Sequence, residues 1–206
     1  MCGFMPVLTY QNLMDILQDY SHPLSICLAV RVGSQVYGTA QSDSDTDFVV
    51  INSIPQKPDL LFGHNYNVTI WSEEKFAHSL QNHSIFAFEV LSTPSIHRLY
   101  DQGRYPSFTF NAQTLAQSAI SKSQTDWNKG LKILEYEQQK AQKKLWHAMR
   151  ILMFACQIKE KRLIYDFTVA CDLFEEIITD PSSDPMYYKQ WLTPMKDQLC
   201  AILLNR

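Results

Sequence analysis

The chain has 206 residues, 46% of them hydrophobic and 19% charged, with a formal net charge of −3. That length fits one domain, or one domain with a helical appendix, and the apolar fraction excludes wholesale disorder. The mild acidity argues against a general polyanion binder, and apolar runs such as residues 151–156 fall far short of the ~20 residues that span a bilayer.

Residues 9–20 open on a capping Thr9 and repeat Leu13, Ile16, Leu17 and Tyr20 at helical spacing, until His22-Pro23 ends the run. Residues 24–32 alternate as a strand and break at Gly33-Ser34. Residues 47–52 read as a second strand, buried on both faces. Pro55, Pro58 and Gly63 make residues 53–63 a loop, and residues 67–71 alternate as a third strand. Ser72 can cap a helix whose first turn carries Glu73 and Glu74, and which runs to about Gln81. Residues 84–92 make a further short helix, and residues 94–106 are rich in turn formers. From Asn111 strand patterns stop. Helices are expected over 111–123, 125–160, 166–178 and 187–204, with a break at residues 179–185. The expected architecture is an α+β half, residues 1–110, followed by an all-helical half, residues 111–206.

Five cysteines (Cys2, Cys27, Cys156, Cys171 and Cys200) form no C-x-x-C pair, and their number is odd. Small buried thiols in a reducing compartment are expected, without a disulfide framework or zinc site. Residues 1–17 hold no Lys or Arg, so they lack the basic start of a secretory signal. A cytoplasmic protein with no membrane partner is the expectation. Ten of the eighteen Lys and Arg residues fall within 122–162. They make either a solvated helix face or a phosphate-facing surface.

One stretch concentrates chemistry. A strand ends in Gly33-Ser34, with Tyr37-Gly38 close behind and Ser44-Asp45-Thr46-Asp47 opening the next strand. A glycine after a strand lets backbone approach a ligand closely, and the serine adds a hydroxyl for a phosphate oxygen. Residues i and i+2 of a strand share a face, so the Asp45 and Asp47 carboxylates converge. Two converging carboxylates suit a hard divalent cation, Mg²⁺ or Mn²⁺. The bland alternative is a polar loop whose acids cap turns. Farther on, Lys144, His147 and Arg150 share one helix face and could meet phosphate or base. A solvated amphipathic helix with a histidine at its edge is the alternative. Trp127, Trp146, Tyr165, Phe167 and Trp191 lie among these basic residues, as core or as stacking platforms.

Through Gly33-Ser34-x-x-Tyr37-Gly38-Thr39 and Ser44-Asp45-x-Asp47 the sequence resembles the DNA polymerase β-like nucleotidyltransferase superfamily. Within it, the chain looks like the predicted nucleotidyltransferases found beside RNA ligases and in phages. Trp71-Ser-x-x-Lys75-Phe76, Glu89-Val-Leu91-Ser-x-Pro94, Lys144-Leu-Trp-His147-Ala-Met-Arg150 and Ile164-Tyr-Asp166-Phe extend that likeness over residues 25–178. The resemblance implies a small mixed sheet flanked by helices. It implies metal-ligating Asp45 and Asp47 and a nucleotide held by Gly33, Ser34, Tyr37, Gly38, Ser44, Lys144, His147 and Arg150. The implied reaction moves a nucleoside monophosphate from a nucleoside triphosphate to a hydroxyl of RNA or protein, as in RNA repair, and releases pyrophosphate. The oligomeric state stays open.

One departure stands out. The superfamily's third catalytic carboxylate falls at Asn67, which is a poorer metal ligand and no base. His64 or Glu89 could substitute. A solvated loop histidine and a structural ion pair are their alternatives. A catalytically weak nucleotide-binding module therefore competes with the active enzyme, and a protein keeping the fold only for partner contacts is a third possibility.

Overall fold

Thr9 and Asn12 form a reciprocal capping box, and helix α1 (Tyr10–Leu17) follows from it. In the computed structural model the described residues are 9–18, 20–63 and 65–205. The sequence readings at Cys2, at His64 and over residues 1–8 lie outside them. Strand β1 (Ile26–Val32) leads into a single turn, α2 (Ser34–Tyr37), then β2 (Thr46–Asn52), β3 (Asp59–Phe62) and β4 (Tyr66–Ser72). Ser72 caps α3 (Glu73–Gln81) by accepting the Lys75 N–H at 3.1 Å, as its sequence asks. Helix α4 (Ile85–Ser92), a 3₁₀ turn over Ser95–His97 and β5 (Arg98–Asp101) complete this half.

The sheet order is β3-β4-β2-β1-β5, with β2 and β4 parallel and the other pairs antiparallel. Strands β1 and β2 are central and buried on both faces. Leu28, Val30, Val32, Val49 and Ile51 pack under α3 and α4, against Phe76, Leu80, Ala87 and Val90. The alternate residues Ala29, Phe48, Val50, Val68 and Ile70 pack on Leu13 and Leu17 of α1. This period-two division also sets the site, because Asp47 shares the face of Val49 and Ile51.

Two strands depart from the sequence reading, and both are edges. Residues 59–62 form β3 where a loop is expected, and residues 98–101 form β5 within the turn-rich segment. Each is four residues long, and neither is buried enough to need an apolar alternation.

The helical half differs in its breaks. Helix α5 (Ala112–Ile133) runs unbroken through residue 124, and the chain turns instead at residues 134–137 before α6 (Gln138–Lys161). Gly130 lets the two helices close up: a Cβ there would lie 3.0 Å from Leu145 Cγ and 3.1 Å from the Ala141 carbonyl oxygen. Helix α7 (Cys171–Thr179) starts five residues later than residue 166 because Asp166 folds a turn, accepting the Thr168 N–H at 2.8 Å. Helix α8 (Pro185–Leu204) closes the chain.

The helical core draws Val36 and Tyr37 from the α2 region and Ile85 and Phe88 from α4, so both halves share one apolar cluster. Trp127, Trp146 and Phe167 belong to it, Trp191 is partly buried against it, and Tyr165 is exposed. The described cysteines are free thiols, and of them only Cys27 is fully buried. No helix among the described residues is long and apolar enough to cross a membrane.

Candidate functional site

Strand register builds the acidic centre. Asp47 pairs with Val32 on one side and Asn67 on the other. The Asn67 amide Nδ2 donates to Asp47 Oδ1 at 3.0 Å and lies 3.4 Å from Asp45 Oδ2. Both carboxylates therefore reach a single donor, and the same-face expectation for Asp45 and Asp47 holds geometrically. Burial pushes the Asp47 carboxyl above its ordinary value. The Asn67 bond opposes the rise and the Asp45 charge adds to it.

Gly33 closes one side. Its φ of +79° and ψ of −157° suit glycine almost alone. A Cβ there would sit 2.2 Å from Asp47 Oδ2. The sequence reading reserves this space for phosphate, but the first atom a side chain meets is the acid itself. Ser34 opens α2, and Gln35 Nε2 ties that turn to Thr46 Oγ1 at 2.8 Å.

Gly33, Ser34, Asp45, Asp47 and Asn67 form one wall of a cavity of about 750 Å³ lying between the sheet and the helices, a size typical of small-molecule sites. Lys122, Lys143, Lys144 and His147 line it from α5 and α6. Asp126 is buried and braces two of these cations, with Lys122 Nζ at 3.0 Å and Lys144 Nζ at 3.4 Å. Ile85, Phe86, Trp146, Ile151 and Phe174 supply apolar lining.

Arg150 stands apart from the lysines. Its guanidinium donates to Glu89 Oε1 at 2.9 Å, with the two side chains only 6% and 3% exposed. It also stacks 3.9 Å from the Tyr37 ring centre, and the Tyr37 hydroxyl donates to Glu89 Oε2. Burial works against the Arg150 charge, but Glu89 and Tyr37 outweigh it and hold its pKa above the ordinary value. Burial raises the Tyr37 phenol, with Arg150 opposing and Glu89 adding. Tyr37, Glu89 and Arg150 thus form a buried knot joining α2, α4 and α6. Glu89 lies inside α4, and both its carboxylate oxygens serve this knot.

The expected nucleotide-binding residues divide accordingly. Gly33, Ser34, Tyr37, Ser44, Lys144, His147 and Arg150 line the cavity with Asp45, Asp47 and Asn67. Ser44 also closes its own turn by accepting the Gln41 N–H at 2.8 Å. Gly38 is not part of the lining. It ends α2 at φ +75°, where a Cβ would lie 2.9 Å from Cys171 Sγ. The sequence reading passes over Asp126 and includes Lys122 only as the first cation of the basic run over residues 122–162. Their i,i+4 spacing was visible, but only the packing of α6 on α5 shows that they face the cavity.

The donor set fits a hard divalent cation. It is all oxygen, it carries two acids that meet at one point, and Mg²⁺ commonly takes one or two carboxylates together with substrate phosphates. Among the described residues no group of three or more His, Cys, Asp or Glu side chains is arranged to hold a metal. Two protein carboxylates are therefore the available complement.

No family model matches the sequence, and no curated protein does. Among solved structures the chain is similar to a nucleotidyltransferase-like protein from Exiguobacterium sibiricum. The two are 14% identical over 94% of this chain and 71% of that one, with a TM-score of 0.32. A likeness that distant says nothing about individual side chains, and the site stands on its own geometry.

Proposed function

We propose that the chain binds a nucleoside triphosphate with Mg²⁺ or Mn²⁺, and that it is a nucleotidyltransferase whose transfer step is slow. The observation that carries this reading is the acid pair, Asp45 and Asp47, opening into a cavity that also presents Lys122, Lys143 and Lys144. A triphosphate needs both kinds of group: carboxylates to hold its cation and ammonium groups to balance its remaining charge. Asp45 and Asp47 would hold the ion, which when bound neutralises phosphate charge and polarises the transferred phosphoryl group. Gly33 makes room for the Asp47 carboxylate, and Gly33 and Ser34 line the cavity where the phosphates would lie. The acceptor is a hydroxyl of RNA or protein.

Proton removal from that hydroxyl is the weak step. Asn67 occupies the place next to both acids, and an amide accepts no proton. Glu89 is committed to Arg150 and Tyr37. A missing base costs about 10²–10⁴ in rate. This same observation favours the second reading, a module that binds nucleotide without transferring it. Incubation with each α-labelled nucleoside triphosphate, Mg²⁺ or Mn²⁺, and RNA or protein acceptors separates the two. Slow label transfer with pyrophosphate release supports the enzyme, metal-dependent binding without release supports the module, and absence of binding refutes both.

A further inference from the structure

The buried knot has an outlet at His147. Arg150 Nη2 lies 3.2 Å from His147 Nδ1. A guanidinium has donors and no acceptor, so Nδ1 must receive this bond and cannot carry a proton. A neutral imidazole held in this way keeps its proton on Nε2. The surroundings enforce neutrality. Burial lowers the ring's pKa well below the ordinary value, and Arg150, Lys144, Lys122 and Lys143 lower it further. The acids nearby are already engaged, Glu89 by Arg150 and Asp126 by Lys122 and Lys144. Among the described residues Nε2 has no hydrogen-bond partner, and His147 stands on the cavity wall.

We propose that His147 is an uncharged hydrogen-bond donor, its proton fixed on Nε2 by the Tyr37–Glu89–Arg150 knot, that selects among nucleotides by meeting an acceptor atom on the nucleobase. The proposal rests on the nucleotide reading above and names the part of the ligand that His147 reads. Phosphate charge is met by the flexible lysines, whereas a neutral donor adds little to anion binding and much to discrimination. The matched base gains a hydrogen bond to this donor that the other bases do not make. Aromatic side chains border this donor. Trp146 lies 4.7 Å from the His147 ring, centre to centre, and Phe174 lies 5.0 Å from Trp146 on the same cavity lining. Arg150, Glu89 and Tyr37 are positioning residues in this scheme.

Two measurements test it. Nitrogen-15 NMR of the ligand-free protein should find the His147 ring as the Nε2–H tautomer, unchanged between pH 6 and 8. An Nδ1–H tautomer, or a ring that titrates across that interval, overturns the proposal without reference to any nucleotide. Calorimetry with ATP, GTP, CTP and UTP in Mg²⁺ should then show one preferred nucleotide. H147F should weaken that nucleotide about tenfold and leave the others within about twofold, and H147Q, which keeps a neutral donor, should retain the preference. Equal weakening of all four in H147F means a structural role only and overturns the proposal alone. Failure of all four to bind the unaltered protein overturns it together with the nucleotide reading.

Discussion

Gly33→Ala adds one carbon at the point where the two functional strands meet. The backbone there has φ +79° and ψ −157°, a region that costs a non-glycine residue about 1–3 kcal/mol. The new Cβ would also fall 2.2 Å from Asp47 Oδ2, 3.0 Å from its Cγ and 3.1 Å from its Cβ. Rotating the carboxylate relieves only the first of these contacts fully, because Asp47 Cβ is fixed by its place in β2. The side chain must leave the Asn67 amide and swing out of register with Asp45. The expected result is a loss of about 1–3 kcal/mol in urea denaturation. Mg²⁺-dependent nucleotide binding should weaken at least tenfold, about 1.4 kcal/mol. Gly103→Ala is the matched control, since Gly103 has φ +69° with nothing within 4 Å of a Cβ. It should carry backbone strain and leave nucleotide binding unchanged. Natural affinity in a folded Gly33→Ala protein would refute the reasoning that this glycine makes room for the acid.

Three further substitutions probe the charges. The Asp47 carboxyl is raised above its ordinary 3.8 by burial first and Asp45 second, so its ionisation opposes folding above the raised pKa and has no effect below about pH 3.8. Asp47→Asn should therefore be more stable than the natural protein at pH 7 in metal-free denaturation, with the gap closing as pH falls; a gap independent of pH would contradict this. Asn67→Asp places a third acid at the pair, and should lower metal-free stability while increasing the melting-temperature gain on adding Mg²⁺; an unchanged gain would show that position 67 does not reach the ion. Glu89→Gln leaves the buried Arg150 without a counter-charge and should cost about 3–5 kcal/mol in chemical denaturation, whereas a loss below about 1 kcal/mol would mark the pair as solvated.

Much of this was legible in the sequence where physics leaves a local signature. The two central strands announce themselves by apolar runs, α3 by its serine cap, and the Asp45–Asp47 pair by strand periodicity. Asn67 was picked out by the resemblance, which aligns the third carboxylate with it, and the parallel register of β2 and β4 sets it beside that pair. What escaped is non-local. The edge strands β3 and β5 are held by backbone pairing, which selects no side-chain pattern. A structural ion pair is one of the sequence readings of Glu89, but its partner Arg150 is 61 residues away and resembles an ordinary charged position on a helix. Burial makes them a pair, and that turns Arg150 from a phosphate-facing surface residue into part of the wall. The helix breaks at residues 134–137 and 166–170 are set by the α5–α6 packing and by the Asp166 turn, neither of which periodicity records.

Calorimetric titration of nucleoside triphosphates into the protein, with Mg²⁺ and with chelator, tests the central claim most directly. The natural protein should bind at least one nucleotide only when Mg²⁺ is present. Asp45→Ala and Asp47→Ala should each lose that binding while keeping the natural circular-dichroism spectrum. Nucleotide binding that survives both substitutions, or that ignores Mg²⁺, would contradict the assignment of the acid pair as the metal site.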